Sequence, residues 1–421
     1  MNATGVGLAV YVVVHRMNCK ISSPDWHTIL SILIMKLKQS PGDFLVEELT
    51  DVRPGHGGSF AFYRLDKTGW TTPDALQIIG RRWNIPWQRL NYGGMKDRHA
   101  TTVQYITIFG GPRRDLEQER IHLTFLGQVA EPYSSREIKA NRFTIAVRSL
   151  SPDDETRIAT SAGEVERAGY PNYFDDQRFG SVTPDGQFVA RKMILGQFED
   201  ALKQALAGEY EFDKAPAKKE KQALLDHWGD WPACRAKLER GHARSLVCYL
   251  ADHPTDFKGA VARLRPELQG LYLSAYQSDI WNRTLAKWLQ AHFTADSLGS
   301  IQLHRGPLPV PTLSSSDWES LVLPLPSARL KPDADAPWLP QLEEVLAEEE
   351  LTLAQMKIKG MDRPYFSKGE RLACVRPTGW SCNGDPDDLN RGRRKLTLRF
   401  ELPRGSYATM LVKRITSLEL P

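Results

Sequence analysis

No two of the five cysteines (Cys19, Cys234, Cys248, Cys374, Cys382) are spaced as Cys-x-x-Cys, and their number is odd. That argues against both a disulfide framework and a cysteine-built zinc site, and it fits a reducing, cytoplasmic setting. Long apolar runs are also lacking. No stretch approaches the roughly 20 apolar residues of a membrane span. The short run 5–14 has no basic segment before it. His15-Arg16-Met17-Asn18-Cys19-Lys20 follows it in place of a small-residue cleavage site, so it reads as neither signal peptide nor anchor. An excess of one charge is missing as well. The 55 basic residues against 51 acidic ones leave a net charge of +4. A nucleic-acid partner is allowed, but a basic groove rather than a basic total must supply its binding. No metal or organic cofactor is signalled, no membrane association is expected, and nothing implies an obligate protein partner.

What is present suggests two or three domains in 421 residues. Residues 36–66 read as short strands, with Phe44-Leu45-Val46 and 59–65 separated by Arg53-Pro54-Gly55-His56-Gly57-Gly58. Thr72-Pro73-Asp74 starts a helix with Leu76, Ile79 and Trp83 at helical spacing. Strands follow at 102–109, 121–129 and 143–148. In the last of these, Phe143, Ile145 and Val147 alternate with Thr144, Ala146 and Arg148, the pattern of one buried face. Ser151 to Glu155 caps a helix reaching about residue 168.

From 172 to 370 the pattern becomes mainly helical, with candidates at 188–206, 231–249 and 257–288. A lysine-rich break falls at 215–221 and a Pro/Ser-rich connector at 300–337. Strand-like runs return at 372–376, 395–402 and 409–415. The expected class is α+β, one mixed or antiparallel sheet domain interrupted by an insertion. Residues 371–421 are too few for a core of their own, so they are expected to complete the first domain's sheet. The boundaries read as 35–171, 172–370 and 371–421. Met35 opens the first domain-like stretch, and residues 1–34 read as a dispensable extension, compatible with an upstream start site.

Several constellations bear chemistry. Gly93-Gly94-Met95-Lys96-Asp97-Arg98-His99 sets ionisable groups between a glycine turn and a strand, and Asp97 suits a nucleophile or base kept ionised by a nearby cation. The bland alternative is a solvated turn. Lys38 precedes Pro41-Gly42-Asp43-Phe44-Leu45-Val46-Glu47. Lys38 suits a carboxylate or phosphate, and Phe44 suits a base, against the plainer reading of a surface lysine and a core ring. In Asn141-Arg142-Phe143 an amide that can read a base edge shares a strand face with an aromatic. Stacking on such a ring contributes about 1–3 kcal/mol per base.

Asn172 to Gly180 carries Arg178, a phosphate binder or part of a packed aromatic junction. Leu273, Tyr276, Ile280, Trp281, Thr284 and Trp288 mark mainly the apolar face of a helix. Arg391 to Lys395 is a basic run, and Tyr407 follows the Pro403-Arg404-Gly405-Ser406 turn, where it can line a pocket.

Taken in this order, the segments resemble the TruD family of tRNA pseudouridine synthases. Lys38 with Pro41 to Glu47 is similar to the opening motif, and Gly94-Met95-Lys96-Asp97 through Gln104 to the catalytic-loop motif. Asn141-Arg142-Phe143, Asn172 to Gly180, Ser274-Ala275-Tyr276-Gln277-Ser278 and Leu402 to Thr409 match the rest. The resemblance spans about 35–417. It implies isomerisation of uridine to pseudouridine in tRNA, typically at uridine 13, without a cofactor. It also implies a split pseudouridine-synthase domain carrying a large insertion. Asp97 would be the essential carboxylate and Lys38 its cationic partner, with Phe143 stacked on the base. Phe44, Asn141 and Tyr407 would line the uridine pocket. Gly42, Asp175 and Tyr407 depart from the family's usual acidic residue, glycine and phenylalanine. A non-catalytic RNA-binding protein, which would need the aromatics and basic residues but not Asp97, is the main rival expectation, and a nucleoside-processing hydrolase acting on small molecules is the second.

Overall fold

The computed structural model describes residues 10–11, 35–210, 213–361 and 363–419. Apart from Val10–Tyr11, the expected dispensable extension 1–34 lies outside these residues. The fold is α+β. Two compact units divide the chain: one runs to Gly169 and resumes over Val375–Ala408, and the other comprises Tyr170–Cys374 and the chain from Thr409 onward.

The first unit is built on one sheet. Its main path runs Thr378–Pro386, Arg394–Pro403, Ile138–Leu150, Phe44–Thr50, Thr101–Phe109, Phe60–Thr68, Ile121–Val129, Leu116–Gln118. Every pairing on this path is antiparallel except Phe44–Thr50 with Thr101–Phe109. Alternating side chains choose the buried face. Phe44, Val46 and Glu48 point inward from their strand, as do Ala61, Tyr63, Leu65 and Lys67 from theirs. The helix Thr72–Trp83 begins where the Thr71 hydroxyl accepts the Asp74 N–H. It ends at Asn84, whose φ of 53° lies in the left-handed region. Its Ala75, Leu76 and Ile79 pack with Ala61, Tyr63, Leu65, Ile106 and Ile108 in a single apolar cluster.

The last two strands complete this sheet, Leu402 registering with Asn141 and Phe400 with Phe143. An ionic knot pins them. Arg148, almost fully buried, donates to Asp43 from Nε at 2.8 Å and to Asp387 and Asp388 from Nη1 at 2.8 and 2.9 Å. Asp387 also accepts the Ser149 and Leu389 N–H groups. Burial alone would raise its pKa, but these backbone N–H groups, the Asn390 amide and Arg148 outweigh it and hold the carboxyl at about 2. Glu155, on the helix Pro152–Ala168, takes a two-pronged contact from Arg394 at 2.6 and 2.9 Å.

The second unit is mainly helical around Pro266–His292, which buries Tyr272, Leu273, Tyr276, Ile280, Trp281, Leu285 and Trp288. Several elements differ from the sequence expectations. The run 188–206 forms two helices, Val189–Ile194 and Phe198–Ala207, because Gly196 turns the chain at φ 75°. The run 257–288 likewise divides at Pro266, which starts a helix without needing an N–H donor. The lysine-rich 215–221 lies within a helix, Ala215–Asp226, which lysine favours once the chain is started by Pro216. The stretch 300–337 includes the hairpin Leu298–Leu303 with Gly306–Pro311, where edge position tolerates the prolines. Residues 409–415 are not a strand but part of the helix Ala408–Thr416. Ala408, Leu411, Val412 and Ile415 recur at helical spacing and are all buried.

The ionic knot gives a stability test. Replacing Arg148 with Met leaves Asp43 and Asp387 buried without their cation and should cost about 3–5 kcal/mol, read from urea unfolding. Because the folded pKa of Asp387 lies below its unfolded value, its contribution is intact above about pH 4 and is lost as pH falls toward 2. The difference between wild type and variant should therefore shrink over that window.

Candidate active site

Strand pairing assembles the site. Glu48 registers opposite Asn141, Val46 opposite Phe143 and Phe44 opposite Ile145, so these side chains share one face of the sheet. The loop 93–99 reaches that face just before the strand Thr101–Phe109 begins. Gly93 is where the backbone comes closest to its neighbours. A β-carbon there would lie 2.6 Å from Ile138 Cδ1 and 3.0 Å from Tyr133 Cε1. Gly94 has open space around it, so only the first glycine of the pair answers to packing.

Asp97 meets Lys38 directly, with Nζ donating to Oδ2 at 2.5 Å. Its Oδ1 accepts the His99 N–H at 2.9 Å. Burial works to raise the Asp97 pKa, but the Lys38 hydrogen bond, the His99 N–H and the neighbouring positive charge outweigh it and hold the carboxyl below its ordinary value. The side chain remains 37% exposed, so an ionised carboxylate is open to a ligand. Lys38 has φ 55°, in the left-handed region. That conformation costs a residue with a β-carbon about 1–2 kcal/mol. The contact with Asp97 and the Phe44 ring, 4.2 Å from Nζ to its centroid, hold the side chain there.

Phe44 meets Phe143 edge to face at 6.3 Å, and Phe143 stacks on Phe400 at 5.5 Å. Phe400 in turn stacks on Trp380 at 5.6 Å. Phe143 is thus buried with one ring face committed to Phe400. The Asn141 side-chain oxygen accepts a hydrogen bond from Lys96 Nζ at 2.5 Å. Tyr407 is half-buried in the turn after Arg394–Pro403, the strand whose Leu402 registers with Asn141. Lys38 and Asp97 are therefore in contact, as are Phe44 and Phe143, while Asn141 joins the loop through Lys96.

Three polar residues that sequence reasoning did not single out organise this site. Lys67 is buried beneath the loop and donates to the carbonyls of Trp70 at 2.7 Å, Asp97 at 3.1 Å and Lys96 at 3.4 Å. Burial and repulsion from Lys96 outweigh attraction to Asp97 and lower its pKa to about 8. Thr72 accepts the Lys96 N–H at 3.0 Å and donates to Gln104, whose amide holds the Gly94 carbonyl at 3.3 Å. Glu48, fully buried, pairs with Lys96 at 2.8 Å and accepts the Tyr133 hydroxyl at 2.8 Å. The sequence did carry a signal: Lys67 falls in phase with Ala61, Tyr63 and Leu65, and Glu48 with Phe44 and Val46. An ionisable residue in the buried phase of a strand demands a partner.

In the second unit Asp175 is buried and bonded to Lys413 at 2.5 Å, which accommodates a carboxylate at that position of the nonapeptide. Arg178 lies over the Phe174 ring at 5.4 Å, within the aromatic packing of that segment.

The model of the tRNA pseudouridine synthase D (TruD) family matches residues 29–300 and 319–415. The chain belongs to the tRNA pseudouridine synthase D family. It is 29% identical to the tRNA pseudouridine synthase D of Leptospira interrogans over 91% of this chain and 96% of that one. With the Aquifex aeolicus protein of the same name it shares 27% identity over 90% and 98%. A Methanosarcina mazei protein assigned to tRNA pseudouridine synthase D has a crystal structure that superposes with a TM-score of 0.68 at 25% identity. That match covers 91% of this chain and 93% of the other.

Two titrations test the electrostatics of this family member. In Lys38→Met the Asp97 carboxyl loses its strongest charge-stabilising contact, so its pKa should rise. Carboxyl-carbon NMR shifts followed against pH read that directly. Lys67 should titrate near pH 8 in lysine-selective NMR, well below exposed lysines. Since its folded pKa lies below the unfolded value of 10.5, the unfolded chain holds the extra proton between those values. Lys67 should therefore add stability as pH rises from 8 to 10.5, relative to Lys67→Met.

Proposed function

We propose that this chain isomerises uridine to pseudouridine in tRNA, at uridine 13, with Asp97 as the catalytic carboxylate. The observation that carries the reading is the Lys38–Asp97 contact beside the Phe44–Phe143 pair. It sets an ionised, partly open carboxylate next to aromatic surface on one sheet face. Family membership and the names of the relatives support the same reaction.

The chemistry suits these groups. The target nucleotide leaves its stack, as base-modifying enzymes require. The glycosidic C–N bond breaks, the uracil turns while held, and a C–C bond forms in its place. Asp97 starts this by attack on the sugar C1′ or by removal of a sugar proton, and both routes need the ionised form that Lys38 favours. Phe143, through the face not committed to Phe400, replaces the stacking lost on extrusion. Phe44 and Tyr407 line the pocket, and Asn141 holds a base edge so that the ring turns without escaping. Residues 35–171 and 371–421 are assigned to the catalytic domain and 172–370 to the insertion, with the segment from Thr409 packing in the second unit. The reaction needs no cofactor. tRNA is the partner, and the cytoplasm is the expected location. Among the described residues no helix is long and apolar enough to cross a membrane.

Incubating tRNA with wild type should yield pseudouridine at position 13 by chemical mapping. Asp97→Asn should abolish it while leaving tRNA affinity within about twofold. Appreciable turnover by Asp97→Asn, or pseudouridine only at other positions, would overturn the proposal.

A further inference from the structure

The chemistry around Asn141 settles its hydrogen-bonding sense. Its side-chain oxygen faces Lys96 Nζ at 2.5 Å. An ammonium can only donate. The atom against it must therefore be the amide oxygen, because the reverse orientation would set NH2 against NH3+. Lys96 is itself fixed by Glu48 at 2.8 Å, and its side chain is only 9% exposed. Glu48 is in turn held by the Tyr133 hydroxyl at 2.8 Å and the Tyr105 N–H at 3.4 Å. Asn141 is thus left with its Nδ2 donor, which bonds to nothing among the described residues.

We propose that Lys96 and Glu48 are positioning residues that fix Asn141 as a donor-only reader of the base, and that this donor selects uracil against cytosine. The inference rests on the pseudouridine-synthase reading above and deepens it. Uracil carries carbonyl oxygens at C2 and C4 on either side of N3. A half-turn about the line through N3 and C6 exchanges N1 with C5 and O2 with O4. A fixed donor aimed at one carbonyl before the turn meets a carbonyl again after it, so the same contact serves substrate and product orientations. With the donor aimed at the C4 carbonyl before the turn, cytosine presents an amino group in its place and sets donor against donor. An amide free to flip would lose that discrimination, which explains why a charge pair is spent on holding it.

The test measures the affinity of tRNA transcripts carrying either uridine or cytidine at the nucleotide that wild type modifies. Wild type should prefer uridine by about tenfold or more, the range that one mispaired donor–acceptor contact commands. Asn141→Asp, which exchanges the donor for an acceptor at nearly constant size, should erase or invert the preference. Lys96→Met should erase it with Asn141 still in place, since the amide can then take either sense. If Lys96→Met fails to fold because Glu48 is left buried and unpaired, the double variant Lys96→Met/Glu48→Gln removes that charge and should give the same loss. A purely structural role would weaken both transcripts alike and leave their ratio unchanged, overturning the proposal. So would a wild type that binds the two equally. Failure of wild type to modify any uridine would overturn this inference and the functional reading together. Modification with an unmoved ratio in the variants would overturn this inference alone.

Discussion

The strand Ile138–Leu150 is held in a single register from both sides. Phe44–Thr50 pairs with it along one edge and Arg394–Pro403 along the other. Side chains alternate faces along a strand, so a slip of one residue would turn Asn141 and Phe143 away from Asp97 and bring Arg142 in their place. Arg142 shows what belongs on the opposite face: it pairs there with Glu47 at 3.0 Å and Glu401 at 2.7 Å. The Arg148 knot fixes the same register near the far end of the strand, where it ties Asp43 to Asp387. The site is thus positioned by pairing between segments separated by more than 200 residues of chain.

Three lysines serve the loop 93–99 in different ways. Lys38 contacts the Asp97 carboxylate and keeps it ionised. Lys67 lies beneath the backbone and holds carbonyls rather than a carboxylate, which is why burial lowers its pKa. Lys96 turns the other way, toward Glu48 and Asn141. Positive charge is concentrated around the Asp97 carboxylate, and one buried carboxylate, Glu48, offsets part of it. An unpaired buried charge would be far more costly than any of these contacts is favourable.

Where the sequence misled, local pattern had competed with chain geometry. Thr409-Met410-Leu411-Val412-Lys413-Arg414-Ile415 is rich in strand-forming residues, yet burial of Ala408, Leu411, Val412 and Ile415 along one stripe makes it a helix. Continuous apolar periodicity over 188–206 and 257–288 hid the breaks at Gly196 and Pro266, because a single residue's backbone freedom or missing N–H leaves little trace in a hydrophobicity pattern. The polar residues under the loop were overlooked for a related reason. Lys67 and Glu48 look like solvated charges until strand phase shows that they point inward.

The sequence by itself determined the order of the motifs, the family, the α+β class and the identity of the candidate carboxylate, because each of these is written in residue types and their local spacing. Only the tertiary structure decided that Phe44 and Glu48 join Asn141 and Phe143 on one face, that Lys38 reaches Asp97, and that Lys96 sets the sense of the Asn141 amide. Those contacts join residues 45 to 59 positions apart in the chain. Such pairings follow from register and burial, which no local pattern specifies.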